Sequence, residues 1–320
     1  MVGRLGILVL GVVSLGVSVF LTCQSLRFRE LAEGITWLAD RSFDRPTLVM
    51  VGTGAANENP QRLGPVTAVG VANRIVLVDA GRGVAEALRH CSIPVAQPDT
   101  VLLTSLRPEN VIGLDDLAFT GWNTPRKHAL RVLGPPGTRA LADAINAGNA
   151  PTLDALARAR GLDPAGARLD ATDITHGFAE SSDGFSIRAA AVGNDPVASL
   201  AYRFEAGPRA WVVSGVRPDP DRLVELATGA TTLVGAGFFA RSVDMAIEAG
   251  AENADRLRVD ARLQLPLEQL AAIATRSGVG TLVVTRLTPP PLFDEQFKTP
   301  IRDAFHGNVR IAHECDELAP

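Results

Sequence analysis

The first apolar feature of the chain is an uncharged segment near its N-terminus, residues 5–22. A helix needs roughly 17–25 apolar residues to cross the hydrocarbon core of a bilayer, and this segment reaches the lower end of that range. Positive charges flank it on both sides, so the charge rule for membrane orientation favours neither direction. No A-x-A cleavage site follows, and Thr22 before Cys23 makes a poor lipoprotein box. The pattern therefore favours an uncleaved signal anchor over a cleaved signal peptide.

This segment leads to a division of the chain into three parts. Residues 1–24 form the anchor or signal peptide, residues 25–45 a juxtamembrane helix or linker, and residues 46–320 a globular body. The linker has apolar residues spaced for one face of a helix. We expect a single N-terminal transmembrane helix in the cell membrane, with the body on the extracytoplasmic side.

From Pro46 onwards, short apolar runs are bounded by Gly, Pro, Asn and Asp, a pattern typical of buried strands. The predicted strands are residues 47–51, 66–71, 75–79, 98–104, 130–133, 185–192, 200–205, 210–214, 232–234 and 281–285. The predicted helices are residues 84–90, 138–146, 150–169, 219–228 and 266–277. Strands dominate each half, with helices between and after them. This order predicts two packed sheets with helices outside, a four-layer α/β/β/α sandwich of the α/β class.

Composition narrows the classes of function. The chain has 320 residues, of which 46% are apolar and 21% charged, and this balance excludes a disordered chain. The net charge of −4 and the 5% aromatic content argue against a nucleic-acid partner. The three cysteines, Cys23, Cys91 and Cys315, fit no zinc motif. Lone cysteines are favoured over a pair between Cys91 and Cys315, which would need an oxidising compartment.

The histidines also fit no metal-binding motif. The five are His90, His128, His176, His306 and His313, and none stands in H-x-H, H-x-x-E-H or H-E-x-x-H spacing. The sequence therefore has no local cluster for a histidine-bound metal.

A series of short segments in the body has a recognisable order. The segments are G-T-G (52–54), V-L-V-D-A-G-R-G (76–83), V-L-L-T (101–104), V-L-G-P-P-G-T (132–138), S-L-A-Y-R-F-E (199–205), V-V-S-G (212–215) and L-V-V-T-x-L-x-P-P (282–290). Each is weak by itself, but the whole series resembles the metallo-β-lactamase fold, and within it the ribonuclease Z and arylsulfatase-like hydrolases. The resemblance spans residues 47–313, almost the whole body.

The resemblance implies a metal site that this sequence does not reproduce. In the family, the strand ending in L-T leads into H-x-H-x-D-H, and later ligands complete a site for two ions of zinc or another divalent metal that activate water. The corresponding positions here, in chain order, are Ser105, Arg107, Glu109, Asn110, Asn194, Val216 and Arg286. Arginine is permanently charged and cannot ligate a cation, and valine has no donor atom. One Glu and two amides are too few for a transition-metal site, so we expect no resident metal or other cofactor.

Two functional hypotheses follow. The favoured one is a membrane-anchored, non-catalytic binding or scaffolding relative of the hydrolases, a pseudoenzyme. Two states of its altered site are then open. In the favoured one the arginines pair with Glu109 and nearby acids, and in the other the site is an anion pocket. In that pocket Arg107 and Arg286 would bind a small anionic ligand, with Ser105, Asn110 and Asn194 as further donors. The alternative is a hydrolase of phosphate, sulfate or carboxylate esters that works without the di-metal centre. Relatives of this fold often dimerise, so a homodimer is a further expectation.

Four other polar features are weaker candidates for chemistry. Asp115 and Asp116 are typical of a solvated helix face, and Asp79 is expected to order its neighbouring loop. His176 follows a strand-like D-I-T and is placed near the mouth of the pocket or simply in solvent. Ser105 as a nucleophile lacks a base nearby in sequence.

Overall fold

The computed structural model describes residues 3–35, 37–57, 59, 61–124, 126–182, 184–193 and 196–318. The chain divides into two compact units, Met1–Ala39 and Asp40–Pro320. The first unit contains one helix, α1 (Gly3–Ile35), which runs through the apolar segment and into the predicted linker without a break.

The membrane prediction is not supported. No helix in the described residues has both the length and the apolar composition needed to span a bilayer. The N-terminal transmembrane helix predicted from the sequence is therefore without support in the structure.

The second unit is an α/β body. Its strands are β1 (Phe43–Gly52), β2 (Val66–Ala72), β3 (Arg74–Val78), β4 (Thr100–Leu102), β5 (Leu130–Gly134), β6 (Leu169–Asp173), β7 (Ala179–Ser182), β8 (Phe185–Gly193), β9 (Ser199–Ala206), β10 (Arg209–Ser214), β11 (Thr232–Phe238), β12 (Thr281–Thr288), β13 (Asn308–Ile311) and β14 (Asp316–Leu318). Its helices are α2 (Val84–His90), α3 (Pro108–Val111), α4 (Leu114–Asn123), α5 (Thr138–Arg160), α6 (Pro220–Ala227), α7 (Arg241–Glu248), α8 (Ala254–Ala261), α9 (Leu267–Ser277) and α10 (Glu295–Arg302). A 3₁₀ turn, Pro164–Ala167, precedes β6.

The strands form two seven-stranded sheets. The first has the order β14-β1-β2-β3-β4-β5-β6 and the second the order β13-β12-β11-β10-β9-β8-β7. In each sheet the strands that lead into the altered site, β4 and β12, run parallel to their neighbours on both sides. Carboxyl ends of parallel strands open onto loops at one edge of a sheet, where side chains for chemistry are usually placed.

Alternation along β1 shows how the layers arise. Leu48 and Met50 pack into the core between the two sheets, together with Tyr202 and Phe204 from β9. Val49, next in sequence, points to the opposite face and joins the core beneath α2, α4 and α5. A third core lies between the second sheet and α6, α9 and α10. These three apolar layers confirm the predicted four-layer α/β/β/α sandwich.

Two predicted helices are one helix. The segments 138–146 and 150–169 merge into α5, which contains Pro151 and ends at Arg160. The predicted second helix is therefore too long at its end, because Gly161 adopts a positive φ that caps α5 and Pro164 begins the 3₁₀ turn. Its last residue, Leu169, begins β6, which pairs in parallel with β5.

The body also begins earlier than predicted, because β1 starts at Phe43. Pro46 has no N–H to donate, and the ladder with β2 is interrupted between Phe43 and Thr47. Phe43 is buried, so it belongs to the body rather than to a linker.

The cysteine prediction is wrong for two of the three residues. Cys91 and Cys315, 224 positions apart, form a disulfide bond, whereas Cys23 is free and exposed. The sequence spacing carries no information about this pair, because the fold brings the end of α2 against the segment before β14. Cys315 also donates its backbone N–H to Met50 of β1 over 2.8 Å.

Candidate functional site

The loop after β4 is held in place by Asp79, which directly follows β3. Asp79 adopts a left-handed conformation, with φ 63°, and its side chain is fully buried. Its Oδ1 accepts the backbone N–H of Thr104 over 2.7 Å, and its Oδ2 accepts the hydroxyl of Thr104 over 2.8 Å. The expectation that Asp79 orders the neighbouring loop is confirmed.

Arg286 enters the same place from the second sheet. It lies in β12, and its φ of 52° departs from the extended conformation of that strand. Its backbone N–H donates to the carbonyl of Thr53 over 2.9 Å. Its guanidinium forms an ion pair with Asp79 and donates from Nη1 to Oδ1 of Asn110 over 2.7 Å. The side chain of Arg286 is only 3% exposed and that of Asp79 0%, so the pair is shielded from water.

Asn110 closes the set of contacts. Besides accepting from Arg286, it donates from Nδ2 to the hydroxyls of Thr104 and Ser105, over 3.1 and 2.9 Å. The five residues Asp79, Thr104, Ser105, Asn110 and Arg286 are all buried, and we refer to them as the polar network. Every member is bonded to another, which is what burial of polar groups requires.

Burial sets the electrostatics of this network. Removal from water raises the pKa of the Asp79 carboxyl, and the positive charge of Arg286 opposes that rise. Burial also raises the pKa of Tyr202, with the charge of Asp79 adding to the effect. The Tyr202 hydroxyl donates to the carbonyl of Leu103 over 2.6 Å, so a tyrosine of the second sheet supports the end of β4.

The other two charged positions predicted for the site lie outside the network. Arg107 and Glu109 form an ion pair with Nη1 and Oε1 3.8 Å apart. Arg107 also donates to the carbonyl of Leu263 over 3.4 Å. The structure therefore places the two arginines of the predicted anion pocket with separate partners, Arg107 with Glu109 and Arg286 with Asp79.

The remaining predicted positions contribute less. Val216 is half-buried and apolar, just after Gly215, where a Cβ would come within 3.0 Å of the Thr104 hydroxyl. Asn194 lies outside the described residues. His176 is exposed and borders a groove on the second sheet. Asp116 accepts the backbone N–H of Ala85 over 3.4 Å at the start of α2, which is a structural role.

Sequence reasoning missed Thr104 as a member of the network and Asp79 as the partner of Arg286. A usable signal was present, because D-A-G at the end of a buried strand places a carboxylate next to the loop that carries Ser105 and Asn110. A buried charge is stabilised by a nearby opposite charge, and Asp79 is an acid that ends a strand beside this loop.

Comparison with characterised proteins adds the family. No family model matches the sequence. The chain is 32% identical to the ribonuclease Z of Mycobacterium avium (strain 104) over 284 residues, covering 85% of this chain and 97% of that protein. It is 28% identical to the ribonuclease Z of Mycobacterium marinum over 288 residues, with the same coverage. The chain belongs to the ribonuclease Z family.

Solved structures agree with this family at the level of the fold. The metallo-β-lactamase fold protein YhfI from Bacillus subtilis has a TM-score of 0.62 at 16% identity and covers 87% of this chain and all of its own. The short form of human tRNase Z has a TM-score of 0.58 at 17% identity, covering 85% of this chain and 98% of its own. The body of this ribonuclease Z relative therefore has the metallo-β-lactamase fold.

The residues at the family's site do not fit the metal ions that the fold implies. Among the described residues, no group of three or more His, Cys, Asp or Glu side chains is placed to hold a metal ion. Asp79, the carboxylate of the polar network, is paired with a guanidinium, and a cation placed beside it would face the charge of Arg286. In this member of the ribonuclease Z family the network offers one carboxylate, one amide and two hydroxyls, while Glu109 is paired with Arg107. This set of described donors suits no transition metal.

Proposed function

We propose that this protein is a non-catalytic member of the ribonuclease Z family that acts as a binding or scaffolding module. The protein is a relative of metallo-β-lactamase fold hydrolases. The observation that carries the proposal is the contact of the Arg286 guanidinium with Asp79 and Asn110 inside the site. A fixed positive charge takes the place where the family mechanism would need a divalent cation to lower the pKa of a bound water.

The same geometry argues against the alternative of metal-free ester hydrolysis through Ser105. A serine nucleophile needs an adjacent base to accept its proton. The hydroxyl of Ser105 instead accepts from the amide of Asn110 over 2.9 Å and from the backbone N–H of Arg107 over 3.4 Å. Both groups are donors, so neither can take the proton, and a satisfied structural role is favoured for Ser105.

The anion pocket between Arg107 and Arg286 remains the weaker form of the binding hypothesis. An external carboxylate or phosphate would have to displace Asp79 from Arg286, and Asp79 is also fixed by both polar groups of Thr104. Removing one partner from a buried ion pair leaves a buried charge and typically costs about 3–5 kcal/mol. The polar network is therefore favoured as a closed structural unit.

Metal content is the direct test of the proposal. The purified full-length protein is analysed for zinc, iron and manganese by plasma mass spectrometry, beside the M. avium ribonuclease Z prepared in the same way. We expect far less than one metal ion per chain in this protein. A stoichiometric metal content would contradict the proposal.

An assay of catalytic activity distinguishes the non-catalytic proposal from the alternative of a hydrolase. The protein is incubated with an RNA substrate processed by the M. avium enzyme, and with phosphate, sulfate and carboxylate esters, each with and without added divalent metal. We expect no turnover above background. Turnover that Arg286→Ala abolishes would establish the alternative, whereas turnover that survives Arg286→Ala would point to a contaminating enzyme.

A further inference from the structure

A polar groove lies where α6 packs on the second sheet, and it shares no lining residue with the polar network. It has a volume of about 720 Å³ and is lined by α6, by strands β8 and β9, and by the segment from His176 to Ala179. Cavities that bind small ligands generally measure about 300–1,000 Å³. The groove therefore has the size of a ligand site.

Positive charge predominates along the groove. Arg188 and Arg203 come from the sheet, and Arg222 comes from α6. Glu225 and His176 also line the groove. Glu205 contacts Arg188 and Arg203, so three guanidiniums stand against two carboxylates, and this excess of positive charge in a concave surface favours a ligand of opposite charge.

One glutamate holds two of these arginines side by side. Oε1 of Glu205 accepts from Nε of Arg203 over 2.7 Å and from Nη2 of Arg188 over 3.0 Å. The hydrogen bond from Arg203 is the main cause of a lowered pKa for Glu205, which keeps the carboxylate charged at neutral pH. Two like charges are in this way held close together in the absence of a ligand.

Arg203 is fixed further by the helix. Its Nη1 donates to the carbonyls of Leu226 and Thr228, each over 2.9 Å, and the residue is 8% exposed. These hydrogen bonds use Nε and Nη1 of Arg203 and Nη2 of Arg188. The donors that take no part in them are Nη2 of Arg203 and Nε and Nη1 of Arg188. A rigid guanidinium with remaining donors is a preorganised receptor for an oxyanion.

The floor of the groove is the β8 segment Ala189 to Ala191. Ala190 faces the core shared with α6, whereas the side chains of Ala189 and Ala191 face the core between the two sheets, so the floor presents one methyl group and backbone to the groove. Arg222 reaches across to the carbonyl of Ala191 over 3.4 Å while remaining solvent-exposed. The charged groups thus stand above a small-residue floor rather than in a packed core.

We propose that this groove is a binding site for a small anionic ligand that carries phosphate or carboxylate groups. Arg203 and Arg188 supply donors from the sheet that Glu205 holds in place, and Arg222 supplies an exposed donor from α6. The site is separate from the polar network and does not depend on whether the protein is catalytic.

Isothermal titration of the full-length protein with inorganic pyrophosphate and with citrate tests this site. We expect binding of at least one probe, weakened by added salt, and a dissociation constant raised about tenfold in Arg222→Ala and in Arg188→Ala, since each loses one charge-assisted hydrogen bond. Tighter binding of pyrophosphate assigns a phosphate-bearing ligand, and tighter binding of citrate a carboxylate-bearing one.

Arg256→Ala is the matched control, because it removes the same charge from α8, where the Arg256 side chain is 81% exposed. This variant should bind each probe with the same affinity as the unmodified protein. Arg188 and Arg222 are exposed, so their variants should fold, and thermal unfolding checks this. No binding of either probe, or equal affinity in Arg222→Ala and Arg256→Ala, would overturn the proposal.

Discussion

Asp79 and Arg286 form the buried ion pair of the site. They are 207 positions apart, Asp79 directly after β3 of the first sheet and Arg286 near the end of β12 of the second, and both have a positive φ. Such conformations are uncommon outside glycine and are kept only where the surroundings fix them. Here the surroundings are the bonds of Asp79 to Thr104 and of the Arg286 backbone to Thr53. The ion pair therefore links the two sheets beside the loop that carries Ser105 and Asn110.

Asp79→Asn should destabilise the protein without disturbing its backbone. Asparagine tolerates a positive φ and has nearly the same shape, so the change removes mainly the negative charge. The Arg286 charge is then buried without a counter-charge, and we expect a loss of about 3 kcal/mol in the free energy of unfolding. Urea denaturation followed by circular dichroism measures this loss.

The exposed ion pair of Asp255 with Arg258, 2.9 Å apart on α8, provides the control. Asp255→Asn should change the free energy of unfolding by less than about 1 kcal/mol, because exposed pairs are screened by water. Equal stability of the Asp79→Asn variant and the unmodified protein would contradict the role assigned to the buried pair.

At the scale of elements, the C-terminal strand β14 depends on contacts from outside its own sheet pairing. It has three residues, lies at the edge of the sheet and pairs only with β1. The disulfide from Cys91 to Cys315 and the ion pair of Glu317 with Arg41 hold it on either side. Short edge strands depend on such tethers, because few backbone hydrogen bonds fix them.

Cys315→Ser should therefore weaken the whole body and free β14. We expect a loss of about 2–5 kcal/mol in the free energy of unfolding, which is the usual range for removing a native disulfide. Hydrogen exchange should also increase at the backbone N–H of position 315, which donates to the carbonyl of Met50 in the unmodified protein.

Cys23→Ser is the matched control for this experiment, since Cys23 is exposed in α1 and unpaired. It makes the same replacement of sulfur by oxygen without breaking a covalent link. If the two variants had the same stability under oxidising conditions, the disulfide would not be a stabilising element of the fold.

At the scale of the whole molecule, the body has its own core and begins at Asp40 rather than at Pro46. Arg41 donates from its backbone to Gln97 and from its side chain to the carbonyl of Cys91, and Phe43 is buried. A ring edge of Phe43 lies over Gly70, where a Cβ would come within 2.4 Å of it. Residues 41–43 are thus part of the packed structure.

A chain that starts at Asp40 should fold with the same melting temperature as the body of the full-length protein. A chain that starts at Pro46 should lose about 3 kcal/mol or more, since it lacks a buried phenylalanine and the bonds of Arg41. Thermal unfolding of the two fragments, measured side by side, makes the comparison. Equal stability of the two would restore the boundary predicted from the sequence.

Local pattern was sufficient for most of the fold. The helix at residues 84–90 and the strands that form the centre of each sheet were predicted within a few residues. Their apolar residues alternate or repeat in short windows, which the sequence displays directly. The four edge strands, β6, β7, β13 and β14, were missed, because they are short and each is fixed by pairing with one neighbour.

By itself, the sequence determined the layered α/β/β/α architecture and the family, since both rest on local apolar patterns and on segments in a fixed order. Of the positions that it predicted for the altered site, the structure joins Ser105, Asn110 and Arg286 in one network. Only the tertiary structure decided that Arg286 bonds Asp79 and Asn110 while Arg107 bonds Glu109. The physical reason is separation along the chain. Contacts across 176 and 207 positions form when two sheets pack, and no local pattern specifies which acid a buried guanidinium will meet.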